Sequence, residues 1–206
     1  YDYTVVVTYI SLVSSILGMF CAIDGKLTLA VSCLAFSGLC DMFDGKIART
    51  KKNRTDDEKS FGIQIDSLCD IVCFGIFPII LGYKLGMCKA YSIAILAFYG
   101  MAGVIRLAYF NVMEEEDQNR DETGAKIYTG LPVTSAALIF PAVLLFHLLL
   151  RADLTLLYFG VMILTGLFFL TKIQIKKPQN RGIALLITFG AVEFIILILK
   201  LLCLRH

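Results

Sequence analysis

The chain has 206 residues, 58% of them hydrophobic, with a formal net charge of +2. Only 17% are charged, against roughly 25% in a typical soluble domain. That balance excludes a soluble globular protein, leaves no room for a separate soluble domain, and no nucleic-acid partner is expected.

Apolar runs of about 20 residues, the length that crosses a hydrocarbon core of about 30 Å, recur along the chain. Seven are read, within 4–23, 27–48, 61–83, 89–112, 130–150, 153–171 and 182–204. The expected fold is all-α, a polytopic membrane helical bundle of about seven helices (six to eight), forming one domain over 1–206. The first run has no charged n-region and no small-residue cleavage site, so it reads as a span and not a signal peptide. Short connections such as Asp24-Gly25-Lys26 and Arg151-Ala152-Asp153 imply antiparallel neighbours. The seven cysteines, at 21, 33, 40, 69, 73, 88 and 203, lie in or beside apolar stretches and form no C-x-x-C pair. They read as buried small hydrophobes and not a disulfide framework.

With seven spans, twelve Lys and Arg fall on one side and six on the other, with Arg106 left inside a span. The positive-inside rule then puts the amino terminus, the 49–60 loop and the 171–181 loop in the cytoplasm and the C-terminus outside. The acidic run at 114–122 falls on the cytoplasmic side and reads as a solvated loop.

Four acids interrupt this apolar pattern. Asp41 and Asp44 are three apart, Asp66 and Asp70 four apart, so on helices each pair shares one face and two helices can aim four carboxylates at one point. Near a span centre each costs about 2.5–3.5 kcal/mol, on the order of 10 kcal/mol for four left unpaired. Lys46 and Arg49 are too few to neutralise them. Divalent cations, read as two, meet the need. An all-carboxylate set suits Mg²⁺ or Mn²⁺, and Ca²⁺ can bind; zinc would ask for His or Cys. His147 and His206 are isolated in sequence, and His147 reads as an ordinary buried histidine.

Gly45 and Ala48 follow Asp41 by four and seven residues and share its face, Gly62 precedes Asp66 by four, and Arg49 adds a guanidinium fork at the membrane edge. Small residues there either pack helices closely or leave a hollow. With Arg49, they suit a pocket for a phosphorylated ligand.

The pattern D-x2-D-G-x2-A-R, a gap, then G-x3-D-x3-D resembles the signature of the CDP-alcohol phosphatidyltransferase family, with Asp41, Asp44, Gly45, Ala48, Arg49, Gly62, Asp66 and Asp70 all in place. The gap is commonly eight residues and here runs twelve, Thr50 to Phe61. A longer cytoplasmic loop is expected from it. The resemblance implies two bound divalent cations, often a homodimer, and transfer of a phosphatidyl group from CDP-diacylglycerol to an alcohol with release of CMP. By the same resemblance Asp41, Asp44, Asp66 and Asp70 are metal ligands, Asp70 is also the general base, and Gly45, Ala48, Arg49 and Gly62 contact the CDP group.

The stretches 61–78, 106–112 and 129–137 are similar to those of family members whose acceptor is L-serine, which implies phosphatidylserine as product. Ser67 and Ile71 stand where glycerol-phosphate users carry Pro and Lys. Inositol, inositol phosphate and glycerol phosphate stay open as acceptors. Tyr109 departs from the serine pattern, which often has a second arginine there. Arg106 is read as a serine-carboxylate ligand, as the partner of an aspartate, or as snorkelling to the interface. Asn111 and the 129–132 turn are weaker candidates for the same pocket, and Pro132 also reads as a helix start. The implied setting is the plasma membrane of a prokaryote, with the site at the cytoplasmic side. A cation transporter is the rival class, since intramembrane acids also mark ion paths.

Overall fold

The computed structural model describes residues 5–48, 55–115, 127–150, 153, 155–171, 174–176, 188, 190, 192, 195–197 and 199. Helix α1 (Val6–Ile23) and helix α2 (Leu27–Ala48) form an antiparallel hairpin. Its turn is dictated locally. Gly25 takes φ +78°, Lys26 N–H donates to Cys21 O at 2.8 Å and Gly25 N–H to Ala22 O at 3.0 Å, the paired bonds by which a left-handed glycine closes a helix.

The third apolar run is one continuous rod in three conformations: α3 (Asp56–Asp70), a π-helical segment at Ile71–Ile76, and α4 (Phe77–Lys84). Thr55 caps it. Its Oγ1 accepts from Glu58 N–H at 3.2 Å while Glu58 Oε2 accepts from Thr55 N–H at 3.1 Å, a capping box that satisfies two otherwise orphaned donors. The extra residues in the 50–61 gap are therefore not all loop. Residues 56–60 lengthen α3 by more than a turn.

Pro78 explains much of what surrounds the π-helical segment. It has no N–H for the carbonyl four residues earlier, and no water is available in hydrocarbon to replace that bond. Tyr99 Oη donates to that carbonyl, Phe74 O, at 2.6 Å, and Tyr158 Oη donates to Pro78 O at 2.8 Å. Both tyrosines are fully buried. Their rings pack on Phe140, with centroids 5.5 Å and 5.1 Å away, so the hydroxyls that repair the helix belong to side chains that also fill the core.

Helix α5 (Ala90–Glu115) packs beside the π-helical segment, followed by α6 (Ala136–Leu150) and α7 (Thr155–Leu170). Close approach relies on small residues. A Cβ on Gly38 of α2 would lie 2.4 Å from Ala137 Cβ of α6, and one on Gly18 of α1 would lie 2.5 Å from Phe77 Cζ, as expected where lipid supplies no hydrophobic drive and helices associate by packing.

The fold is an all-helical membrane bundle with one small exception. Strands β1 (Ile127–Thr129) and β2 (Gln174–Lys176) pair antiparallel, Tyr128 opposite Ile175. This ladder joins the segments after α5 and α7 at one end of the bundle, which agrees with their expected placement on one side of the membrane. Among the described residues, four helices are long and apolar enough to cross a membrane, Val6–Ile23, Leu27–Gly45, Asp57–Lys84 and Ala90–Met113. Two more apolar helices, Val133–Phe146 and Thr155–Leu170, are shorter. The run expected at 130–150 thus opens on a turn and a 3₁₀ segment, Val133–Ser135, before α6 begins. Most of the seventh expected span, 182–204, lies outside the described residues, as do His206 and Cys203. The six described cysteines are free.

Candidate metal centre

Both pairs of aspartates lie on helices, as their spacing requires: Asp41 and Asp44 on α2, Asp66 and Asp70 at the C-terminal end of α3. The two helices bring carboxylate oxygens of Asp41, Asp66 and Asp70 within 4.8 Å of one another. The carboxyl groups of Asp41 and Asp70 meet, and so do those of Asp44 and Asp66. Asp44 and Asp70 are 8% and 7% exposed. Asp44 is held from a third helix, where Thr8 Oγ1 of α1 donates to Asp44 Oδ2 at 3.1 Å.

Buried acids in contact must share a cation or give up charge. Among the side chains described, no Lys, Arg or His forms an ion pair with any of the four. The oxygen spread of 4.8 Å is close to twice the roughly 2.0–2.6 Å of a Mg²⁺– or Ca²⁺–oxygen bond. An all-oxygen donor set in that envelope fits a hard divalent ion. Cys69 and Cys73 are buried close by, but a thiol is a poor donor for such an ion.

Gly45 adds space. Among the described residues a Cβ there would meet nothing within 4 Å, so no described helix packs against this glycine beside Asp44. Gly62 is half-buried on α3. The side chain of Ala48 and all of Arg49 fall outside what the structure describes, as does the side chain of His147.

Arg106 of α5 is 5% exposed, so it does not snorkel, and no described aspartate is its partner. Its Nε donates to Leu131 O at 3.0 Å and its Nη2 to Gly130 O at 3.4 Å. Gly130 has φ +83°, and a Cβ there would lie 2.5 Å from Thr171 O. The turn at 130–131 is thus wedged between α5 and the end of α7 and pinned by the guanidinium. Pro132 opens the 3₁₀ segment, with Ser135 N–H and Oγ both donating to its carbonyl, at 3.1 Å and 2.7 Å.

Asn111 is tied to α3. Ser67 Oγ donates to Asn111 Oδ1 at 2.7 Å, and Asn111 Nδ2 donates to Gln64 Oε1 at 3.3 Å. A Cβ on Gly103 would meet Ile71 Cδ1 at 3.3 Å. These two contacts run α5 antiparallel along α3 and set Arg106 near the level of Asp70. Thr8 is the site neighbour that sequence reasoning missed. Its signal was there, a hydroxyl track at 8, 11 and 15 along one face of an otherwise apolar helix.

A family model described as CDP-alcohol phosphatidyltransferase matches residues 4–204. The chain belongs to this family. Members use divalent metal ions, an aspartate cluster is present in this chain, and the chain is an integral membrane protein. It is 36% identical over 105 residues to the CDP-diacylglycerol–serine O-phosphatidyltransferase of Saccharomyces cerevisiae, covering 50% of this chain and 37% of the relative. It is 34% identical over 125 residues to the archaetidylserine synthase of Methanothermobacter thermautotrophicus, covering 60% and 49%. A CDP-diacylglycerol–serine O-phosphatidyltransferase of Helicobacter pylori is 28% identical over 173 residues, covering 80% and 67%. The chain therefore spans less than half the length of the first two relatives.

Proposed function

We propose that this protein transfers the phosphatidyl group of CDP-diacylglycerol to the hydroxyl of L-serine, giving phosphatidylserine and CMP, with two divalent cations, Mg²⁺ or Mn²⁺, in the aspartate cluster. The observation that carries the reading is the convergence of Asp41, Asp66 and Asp70 oxygens within 4.8 Å. The serine-specific names of three relatives support the acceptor.

Asp41, Asp44 and Asp66 act as metal ligands. Asp70 takes the proton from the serine hydroxyl, and its carboxylate also reaches the metal cluster. The serine oxygen forms a bond to the phosphorus that carries the diacylglycerol, and the bond from that phosphorus to the bridging oxygen breaks, so CMP leaves with that oxygen. When bound, the cations neutralise the pyrophosphate and stabilise the leaving CMP. Gly45, Ala48, Arg49 and Gly62 receive the cytidine diphosphate group, and the open space beside Gly45 supports this. Arg106 grips the serine carboxylate. Two of its five N–H donors go to backbone carbonyls, and the other three meet no acceptor among the described residues, which suits an incoming carboxylate. Asn111, oriented from α3, is a second serine contact. The enzyme works as a homodimer in the plasma membrane of a prokaryote, with the site at the cytoplasmic side.

Purified protein in vesicles with CDP-diacylglycerol and Mn²⁺ tests the reading. CMP release should depend on L-serine, and it should stop on chelation and resume when Mn²⁺ or Mg²⁺ is restored. Inositol, inositol phosphate and glycerol phosphate serve as rival acceptors. CMP release without any alcohol, or none at all, overturns the transferase; release with one of the rivals alone overturns serine.

A further inference from the structure

Helix α1 carries none of the family's motif residues, yet it reaches the acidic cluster. Thr8 is 5% exposed, and its hydroxyl donates to Asp44 Oδ2 at 3.1 Å. The contact is not isolated. One turn on, Ser11 Oγ lies 2.6 Å from Ser37 Oγ and also donates to Ser37 O at 3.0 Å, while Ser15 Oγ donates to Ser37 Oγ at 2.8 Å. Ser14 Oγ donates to Cys33 O at 3.1 Å. Residues 8, 11 and 15 share one helix face, and all three bond to α2. These bonds fix the rotation and register of α1 against α2, so the Thr8 hydroxyl is delivered to Asp44 by a rigid hairpin.

We infer that Thr8 is a positioning residue for Asp44, orienting its carboxylate for the divalent ion. The inference rests on the metal-ligand reading of Asp44 proposed above. Asp44 is the acid that falls outside the tight group formed by Asp41, Asp66 and Asp70. It therefore needs an orienting partner most. The Thr8 hydroxyl takes one lone pair of Oδ2, and the Gly45 N–H and the Asp66 carboxyl also bond to this group, yet a carboxylate with about four acceptor sites keeps capacity for a cation. Such outer partners fix the orientation of a ligand, and their loss typically costs 10–100-fold in metal affinity or activity. Donation to Asp44 also diverts the threonine hydroxyl from the backbone carbonyl one turn back, its usual intrahelical acceptor.

The test is Mn²⁺ binding by the full chain in detergent, followed by loss of the free-ion EPR signal, for wild type, Thr8→Val, Thr8→Ser and Asp44→Asn. Thr8→Val keeps the shape and removes the donor, so Mn²⁺ should bind about ten-fold more weakly. Thr8→Ser restores the donor and should bind close to wild type. Thermal unfolding without metal shows that each variant is folded, and Thr8→Ala replaces Thr8→Val if that protein is lost. Wild-type affinity in a folded variant lacking the hydroxyl overturns the inference, and so does a Thr8→Ser protein as weak as Thr8→Val. A wild type that binds no Mn²⁺, or an Asp44→Asn protein that binds it unchanged, overturns the metal-ligand reading itself.

Discussion

Arg106 Nε donates to the carbonyl of Leu131 at 3.0 Å, so a cation buried in a bundle with four buried or half-buried aspartates is held by backbone dipoles on a turn. The same guanidinium is thereby clamped in one orientation near the level of Asp70. On the proposed reading the remaining donors of this fork meet the serine carboxylate, and a hydrogen bond to a charged group contributes about 1.5–3 kcal/mol.

Arg106→Lys keeps the charge and loses the fork. The KM for serine is expected to rise roughly ten-fold or more while that for CDP-diacylglycerol barely moves. Steady-state kinetics with each substrate varied in turn is the measurement. A matched rise in both constants, or loss of folded protein, would reduce Arg106 to its clamp on the turn.

Asp41→Asn and Asp66→Asn should each abolish turnover, because a neutral amide coordinates poorly and removes charge from the cluster. Both proteins should insert and fold, since losing a buried acid relieves a desolvation cost. Activity close to wild type at saturating Mg²⁺ would sink the assignment.

Asp70→Asn is expected to behave differently. CDP-diacylglycerol binding should largely survive while single-turnover CMP release fails, because the variant loses the proton acceptor before it loses the nucleotide site. If lipid-nucleotide binding falls as far as in Asp41→Asn, Asp70 serves the metal first and the proton second.

Gly130→Ala tests the turn. Its φ of +83° and the 2.5 Å approach of a Cβ to Thr171 O combine backbone strain with a clash against main chain. A loss of about 1–3 kcal/mol is expected, seen as a lowered Tm in detergent. An unchanged Tm would mean that the turn relaxes freely and that Arg106 is not held by it.

Tyr99→Phe should leave Phe74 O without its donor in a dry core, costing about 1–3 kcal/mol. Mn²⁺ affinity should stay put, because the tyrosine bonds to the Pro78 defect and not to the acids. A fall in both stability and Mn²⁺ binding would show that the π-helical segment sets the geometry of Asp70.

Much of this protein was legible before any coordinates. Bilayer thickness translates directly into run length, so the first four apolar runs appear as helices close to their expected bounds. Spacings of three and four residues put Asp41 with Asp44 and Asp66 with Asp70 on shared faces because helical pitch is invariant. Their cost in lipid demanded a positive partner whatever the fold. Which faces meet was not legible. These helices are apolar nearly all round, and lipid and core are equally apolar, so hydropathy does not say which side packs. Tertiary structure alone decided that Asp41, Asp66 and Asp70 form the tight group while Asp44 turns to Thr8. It also decided that Arg106 spends two donors on the 130–131 turn, and that Tyr99 repairs the bond Pro78 cannot make. Each of these joins residues 24 to 36 positions apart through hydrogen bonds or meeting carboxylates, and partners so remote are selected by packing and not by any local pattern.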